Sequence, residues 1–370
     1  MTDTVYIRPI GFAPGPQSEE GDAIRLAGGL VYASRFAVIY RRDGRVVERW
    51  RASPGSIAQV LGQLPDSVAA EAEAQWGNLR MAHPALELGA RTVRLDQPQV
   101  MGILNVTPDS FSDGGKHVGD PAGTREAIGA MVEAGASIID IGGESTRPGA
   151  EAVWEEEEVR RVVPAVEAAA SMGAAVSIDT RRAGTMEAAL KAGAGIVNDV
   201  SALRYDPRSA ELVAKTGCPV VLMHAPGSGN DLHEGGTYES VVFDVFDALR
   251  ERRDAAVAVG IAREKILLDP GLGFGKSLTD NLALINALPL FHALGQPILF
   301  GASRKRMIGA LSKEAAADAR LGGSIALALK AMDAGAQLLR VHDVPETVQA
   351  RDVWRGLRDA ALTDFGDLPG

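Results

Sequence analysis

MGILNVTPDSFSDGG, Met101 to Gly115, begins as an apolar run of strand length and then turns polar within one residue, spending Asn105, Thr107, Asp109 and paired glycines at its end. The front half, VMGIL from Val100, shows no polar alternation, which is how a strand buried on both faces reads. The same design recurs downstream in SIIDIG from Ser137, AAVSI from Ala174, GIVNDV from Gly195, PVVLM from Pro219, KILLD from Lys265, PILFG from Pro297 and QLLRV from Gln337. Ala-rich segments of helical spacing separate these runs. In one of them Val159, Val162, Val163 and Val166 recur at i, i+3, i+4 and i+7, behind an acidic run from Glu155 to Glu158. Negative charge there complements a helix N-terminus, and the run reads as a solvated face. Eight strand-helix units between residues 98 and 370 predict an α/β fold of the (β/α)8 TIM barrel type. An open doubly wound sheet would carry fewer strands and a phosphate loop after the first.

The preceding 97 residues read differently. FAVIYRRDGRVVERW predicts a hairpin turning at Asp43-Gly44, and SIAQVLGQL and VAAEAEAQWGNL carry helical spacing. Residues 1–97 are therefore expected to form a small N-terminal α+β appendage on the barrel of residues 98–370.

Charge and composition narrow the partners. Lys and Arg total 38 against 48 Asp and Glu, a net charge of −10, with no basic cluster to follow a phosphate backbone, so no nucleic-acid partner is expected. The single cysteine, Cys218, excludes an internal disulfide and reads as a small packed hydrophobe before PVVLM. No 18-residue apolar run is present and the N-terminus lacks the pattern of a secretory signal, so the expected setting is cytoplasmic, with no membrane partner.

In a barrel the C-terminal strand ends share one mouth. Strand by strand, those ends offer Asn105 and Asp109, Glu144 to Arg147, Asp179, Asn198, His224, Asp269, Ser303 to Lys305, and Arg340 with His342. A single buried Asp or Asn can be a satisfied structural group, but eight polar exits are hard to explain by packing. Convergent carboxylates, amides and cations point to a flat, hydrogen-bonding heterocycle plus an anion. DPGLGFGKS, Asp269 to Ser277, is one residue short of a Walker A loop, and no G-x-S-x-G, H-E-x-x-H or paired-Cys zinc spacing occurs. His83, His117, His233 and His292 sit in helical or loop text and read as ordinary surface or packing residues.

MGILNVTPDSFSDGG, DIGGESTRPGA, SIDT, NDVSAL, VLMH, DPGLGFGKS, GASRK, GGSIA and LRVHD, in that order from about residue 98 to 360, resemble dihydropteroate synthase. The resemblance implies condensation of 6-hydroxymethyl-7,8-dihydropterin diphosphate with p-aminobenzoate, with Mg²⁺ and commonly as a homodimer. Carried over position by position, Asp179, Asn198, Asp269, Lys305 and Arg340 would bind the pterin, with Lys305 at the edge that carries its carbonyl oxygen. Asn105, Thr146, Arg340 and His342 take the diphosphate, with Asn105 also on the metal. Thr146, Arg147, Pro148, Gly273 and Phe274 form the p-aminobenzoate pocket. Asn105, Asp109, Lys305, Arg340 and His342 are the expected catalytic set.

The run after VLMH, APGSGNDLHEGGTYESV, departs from the family pattern, which leaves contacts of the fifth loop and of His224 open. Two other readings compete. A methyltetrahydrofolate-corrinoid methyltransferase barrel should lack TPDSFSDGG and ESTRPG, both intact here. A non-catalytic pterin-binding paralogue should have lost Asn105, Lys305, Arg340 or His342, all present.

Overall fold

The computed structural model describes residues 2–13, 22–107, 121–145, 153–227, 229 and 231–362. The chain opens with β1 (Asp3–Ala13), β2 (Ile24–Arg25), β3 (Tyr32–Arg42) and β4 (Arg45–Ala52), followed by α1 (Ile57–Leu61) and α2 (Asp66–Arg80). Strand β3 is central, pairing antiparallel with β1, β2 and β4. The β3–β4 turn falls at Asp43 and Gly44, with φ of 47° and 78°. Positive φ at both central residues is what the tight twisted hairpin requires, and Asp-Gly supplies it cheaply. Pro9 is tolerated in β1 because that strand pairs along one side only. Its outer edge is partly covered by α2: Gln75 accepts from the Ile7 N–H at 2.9 Å and donates to the Val5 carbonyl at 2.8 Å. Val68, Ala72, Trp76 and Leu79 make the buried stripe of α2, with Trp76 edge-on to Phe36 at 5.1 Å.

A short hairpin, β5 (Leu86–Leu88) and β6 (Arg91–Val93), leads into the barrel. The barrel strands are β7 (Gln99–Asn105), β8 (Ile138–Gly142), β9 (Val176–Asp179), β10 (Ile196–Asp199), β11 (Val220–Met223), β12 (Ile266–Asp269), β13 (Leu299–Phe300) and β14 (Leu338–Val341). Each lies within one of the eight apolar runs or extends it by a residue or two. The strands are parallel in the order β12-β11-β10-β9-β8-β7-β14-β13, and a parallel bridge between Leu268 and Ile298 joins the ends. Outside run α3 (Pro121–Glu133), α4 (Glu155–Ser171), α5 (Ala183–Ala192), α6 (Ser209–Thr216), α7 (Val241–Ala258), α8 (Leu278–Ala287), α9 (Arg306–Leu311), α10 (Leu321–Asp333) and α11 (Val344–Leu362). Among the described residues no helix is long and apolar enough to cross a membrane.

Side chains alternate along each strand, so one parity faces the axis. The lower axial layer is apolar, with Met101, Ile138, Ile196, Val221, Leu267, Leu299 and Leu338 fully buried. Leu86, Leu88, Val93 and Leu95 of the β5–β6 hairpin pack into the same cluster from below. This hairpin, within the 1–97 stretch, thus supplies the barrel floor. The antiparallel sheet docks against the barrel's flank: the Tyr6 hydroxyl donates to Asp247 of α7 at 2.7 Å, its ring meets Phe243 and Phe246 at 4.4 and 5.3 Å, and Asn78 donates to the Ala293 carbonyl at 2.8 Å. One hydrophobic core runs through both parts.

The acidic run opens α4 as anticipated, yet Glu158 is not solvated. It is fully buried and accepts from Arg182 at 2.8 Å, because the first turn of α4 packs on the start of α5. His292 is a packing residue: it is buried, and its Nε2–H donates to the Ala334 carbonyl at 3.0 Å.

Candidate active site

Following the axial parity upward, the apolar layer gives way to Asp140, Asp179, Asn198, Asp269 and Arg340. Arg340, on β14, donates from Nε to Asp140 Oδ2 at 2.6 Å and from Nη2 to Asp179 Oδ2 at 2.5 Å. Asn198 donates to the same Asp140 oxygen at 3.2 Å. One carboxylate thus orients a guanidinium and an amide while itself having no solvent exposure. Burial pushes the Asp179 carboxyl up to about 7, with Arg340 pulling it down and Asp140 pushing it up. Burial alone would lower the Arg340 guanidinium, but Asp140 and Asp179 outweigh it and hold the group above its ordinary value. Asn105 closes this side at the end of β7, where Gly142 separates it from Asp179: a Cβ on Gly142 would lie 3.6 Å from Asn105 Oδ1 and 3.5 Å from Asp179 Cβ.

Across the mouth, Asp269 Oδ1 accepts from the Gly271 N–H at 2.7 Å, and its Oδ2 faces Gly301 beside Arg340. Burial raises this carboxyl, and Lys305 opposes the rise. Burial likewise lowers the Lys305 ammonium to about 8, with Asp269 opposing. Lys305 donates to the Leu272 carbonyl and lies 4.9 Å from the centre of the Phe274 ring. Its place depends on Arg304, a non-glycine residue at φ 57°. That costly conformation is held by an ion pair to Asp343, by Ser324 accepting the Arg304 N–H at 3.0 Å, and by Arg320 donating to the Arg304 carbonyl at 2.8 Å. The His342 ring and backbone N–H both meet the Ser303 hydroxyl at 3.1 Å.

Loop foundations lie just outside this ring. Lys276 Nζ donates to the carbonyls of Gly271, Phe274 and His224 at 2.8, 3.1 and 3.3 Å, and sits 3.0 Å from His224 Nδ1. Burial drops Lys276 to about 7, Asp269 opposing, and drops His224 to about 3 with Lys276 adding. His224 is thereby turned toward loop architecture. Just after β8, where the second strand-to-helix loop (GGESTRPGA) begins, Glu144 accepts from Arg182 at 2.8 and 2.9 Å, from Arg181 at 3.2 and 3.4 Å and from the Val153 N–H at 3.3 Å. Burial would raise the Glu144 carboxyl, yet Arg182 and Arg181 hold it below its usual range. Asp199 accepts from the backbone of Ser201 and Leu203 at 2.7 and 3.0 Å and from the Ser201 hydroxyl at 2.6 Å. That cage leaves Asn198, one residue earlier, to face the axis.

Asn105, Asp179, Asn198, Asp269, Lys305, Arg340 and His342 therefore meet at one mouth, with Gly273 and Phe274 on its rim. Asp109, Thr146, Arg147 and Pro148 lie outside the described residues, as do Pro108, Gly114 and Gly115. Sequence reading missed Asp140, Lys276, Arg181 and Arg182; it placed Glu144 at a strand exit without its arginine partners. Among the described residues no group of three or more His, Cys, Asp and Glu is arranged to hold a metal ion. The Asn105 amide oxygen, across Gly142 from Asp179, is a hard donor, and Mg²⁺ commonly takes one or two protein oxygens together with phosphates and waters. The residues present fit that kind of site.

A family profile described as pterin binding enzyme matches residues 101–342. Dihydropteroate synthase of Escherichia coli K12 is 47% identical over 260 residues, which cover 70% of this chain and 91% of that protein. Xanthomonas albilineans dihydropteroate synthase with 4-aminobenzoic acid is 46% identical, with a TM-score of 0.69, over 78% of this chain and all of that one. The same enzyme in complex with 7,8-dihydropteroate is 44% identical, with a TM-score of 0.66, over 77% of this chain and all of that one.

Proposed function

The chain belongs to the dihydropteroate synthase family of pterin-binding enzymes, and from that premise we propose that it condenses 6-hydroxymethyl-7,8-dihydropterin diphosphate with p-aminobenzoate, releasing pyrophosphate and forming 7,8-dihydropteroate for folate synthesis. The observation that carries the reading is the convergence of two buried carboxylates, an amide and two cations at one barrel mouth.

The aminopyrimidine edge of a pterin offers an N–H and an NH₂ side by side, and a carboxylate can accept both. Asp269 is assigned that edge, since Gly271 holds one of its oxygens in place. Asn198, with donor and acceptor, takes the adjoining ring nitrogens, and Asp179 accepts from the N–H of the reduced ring. Lys305 donates to the pterin carbonyl oxygen. Arg340 and His342 receive the diphosphate, with Thr146 from the second loop. Asp140 keeps Arg340 and Asn198 aimed at their partners.

Heterolysis of the carbon–oxygen bond leaves charge on pyrophosphate, which Arg340 and His342 stabilise where it develops, while the electron-rich dihydropterin spreads positive charge from the methylene. The weakly basic arylamine attacks the methylene as that bond breaks or after it, forming the carbon–nitrogen bond and losing its N–H proton to pyrophosphate or solvent; no protein nucleophile is needed. Asn105 would hold Mg²⁺ by its amide oxygen, and the ion when bound would supply charge neutralisation of the leaving group. Asp109 is assigned to the first loop's contribution, and Thr146, Arg147, Pro148, Gly273 and Phe274 to the p-aminobenzoate pocket. We assign the enzyme to the cytoplasm as a homodimer, supported by the single cysteine and by Val353 and Leu357, which are exposed on α11. The appendage is assigned a structural part, supported by its shared core with the barrel.

Mass detection of 7,8-dihydropteroate in a mixture of protein, Mg²⁺ and both substrates tests the activity. Tight pterin binding without that product would favour the non-catalytic paralogue. Asp179→Ala tests the site, because unchanged affinity for the pterin diphosphate would remove this residue from the pocket.

A further inference from the structure

The fifth loop is where the sequence departs from the family pattern, and its His233 read as an ordinary residue. In the structure the imidazole lies nearly parallel to the Phe274 ring, with centres 5.1 Å apart and planes 15° apart. Offset stacking of two rings at this separation is favourable beyond area burial alone. The Gly275 N–H donates to His233 Nδ1 at 3.3 Å, which assigns the proton of the neutral ring to Nε2. Thus the residue after Phe274 is hydrogen-bonded to the same ring that covers Phe274.

The two loops are also interlocked through their backbones. Gly275 sits at φ 55°, and a side chain there would strike Pro226 and the His233 carbonyl; one at Gly236 would strike the Gly275 carbonyl. Leu232, next to His233, is buried with Val200, Met223 and Ala225, and Phe274 packs on that cluster. The backbone of His233 is itself fixed, its N–H donating to Asp231 Oδ1 at 2.8 Å. Phe274 therefore does not choose its plane alone: the fifth loop sets it from one side, and the Lys305 ammonium lies 4.9 Å from its ring centre.

We propose that His233 is a positioning residue for the aryl-amine subsite, fixing the plane of Phe274 and so setting affinity for the second substrate while leaving the pterin site alone. The proposal rests on the assignment of Gly273 and Phe274 to the p-aminobenzoate pocket. A merely structural histidine would affect stability and both substrates together, so the discriminating readout is a split between the two KM values.

The test is steady-state kinetics on the full chain with Mg²⁺, varying each substrate at saturation of the other. His233→Ala is expected to raise KM for p-aminobenzoate about three- to tenfold, the range that one lost ring stack corresponds to, with KM for the pterin diphosphate within about twofold of the starting protein. His233→Gln, which keeps much of the volume and an acceptor but no ring, is expected to show the same selective rise, and serves if the alanine variant does not fold. His233→Phe, which restores a ring face, is expected to return most of the lost affinity. Phe274→Leu is measured alongside. A rise in the amine KM with Phe274→Leu but not with His233→Ala or His233→Gln overturns the role of His233 alone. No change with any of them overturns the pocket assignment as well. Equal rises in both KM values with His233→Gln make the residue structural and also overturn the proposal.

Discussion

Asp140→Asn is the perturbation that reaches deepest into the site. The side chain has no solvent exposure and its Oδ2 receives both the Arg340 Nε–H at 2.6 Å and the Asn198 amide at 3.2 Å. The substitution keeps the shape and removes the charge. A hydrogen bond to an ionised group contributes about 1.5–3 kcal/mol. Stranding a buried charge completely costs about 3–5 kcal/mol, but Arg340 keeps its second bond, to Asp179, so the lower range applies. Unfolding free energy is expected to fall by about 1.5–3 kcal/mol. The guanidinium then has Asp179, the carboxylate assigned to the pterin N–H, as its one anionic partner in this pair, and Asn198 and Arg340 share a neutral amide oxygen in place of a carboxylate. Affinity for the pterin diphosphate is expected to drop about tenfold or more, equivalent to roughly 1.4 kcal/mol of binding free energy. Titration calorimetry and denaturant unfolding on the same preparation read both quantities. An affinity within twofold of the starting protein, at reduced stability, would refute the orienting role and leave Asp140 as a structural anion.

Further outcomes concern the loops, the appendage and acid stability. Glu144→Gln weakens the grip of Arg181 and Arg182 beside the second loop and is expected to raise KM for p-aminobenzoate several-fold; an unchanged KM would separate Glu144 from that loop's function. Tyr6→Phe removes the bond to Asp247 in the joint between sheet and barrel, so stability should fall by about 1 kcal/mol with kcat/KM unchanged in the same substrate assay. Burial lowers His292 to about 4 from 6.5, so the unfolded chain takes up its proton first. That histidine therefore costs stability progressively as pH drops below 6.5, by up to about 1.4 kcal/mol per unit, levelling off near pH 4. Asn in its place is expected to flatten this part of the acid-unfolding curve, and an identical curve would contradict the assignment.

The barrel was legible because strands buried on both faces carry unbroken apolar runs, and all eight surfaced in the sequence as such. The mouth was legible for a related reason: Asp179, Asn198, Asp269 and Arg340 stand at strand ends, where a polar residue interrupts a run visibly. Asp140 was missed because it sits inside IIDIG, flanked by isoleucines. Its signal was the parity shared with Ile138 and Gly142, which becomes readable only once the barrel axis is assumed. Lys276 was set aside with the failed Walker A spacing, although a lysine after three glycines can equally serve as a donor to the carbonyls of its own loop, as it does here. Glu158 read as solvated because charge at a helix start usually is, and only the packing of α4 against Arg182 reveals otherwise. Strand β1 hid behind Pro9 and Gly11, which are tolerated at a one-sided, bulged edge. The β5–β6 hairpin, three residues per strand, is too short to announce itself as the barrel floor.

The most direct test is a time course of pyrophosphate release by the full chain with Mg²⁺ and the pterin diphosphate, run with and without p-aminobenzoate and scored against dihydropteroate formed. The account predicts release that depends on the amine and matches product one for one. Pterin binding with no amine-dependent release would contradict it.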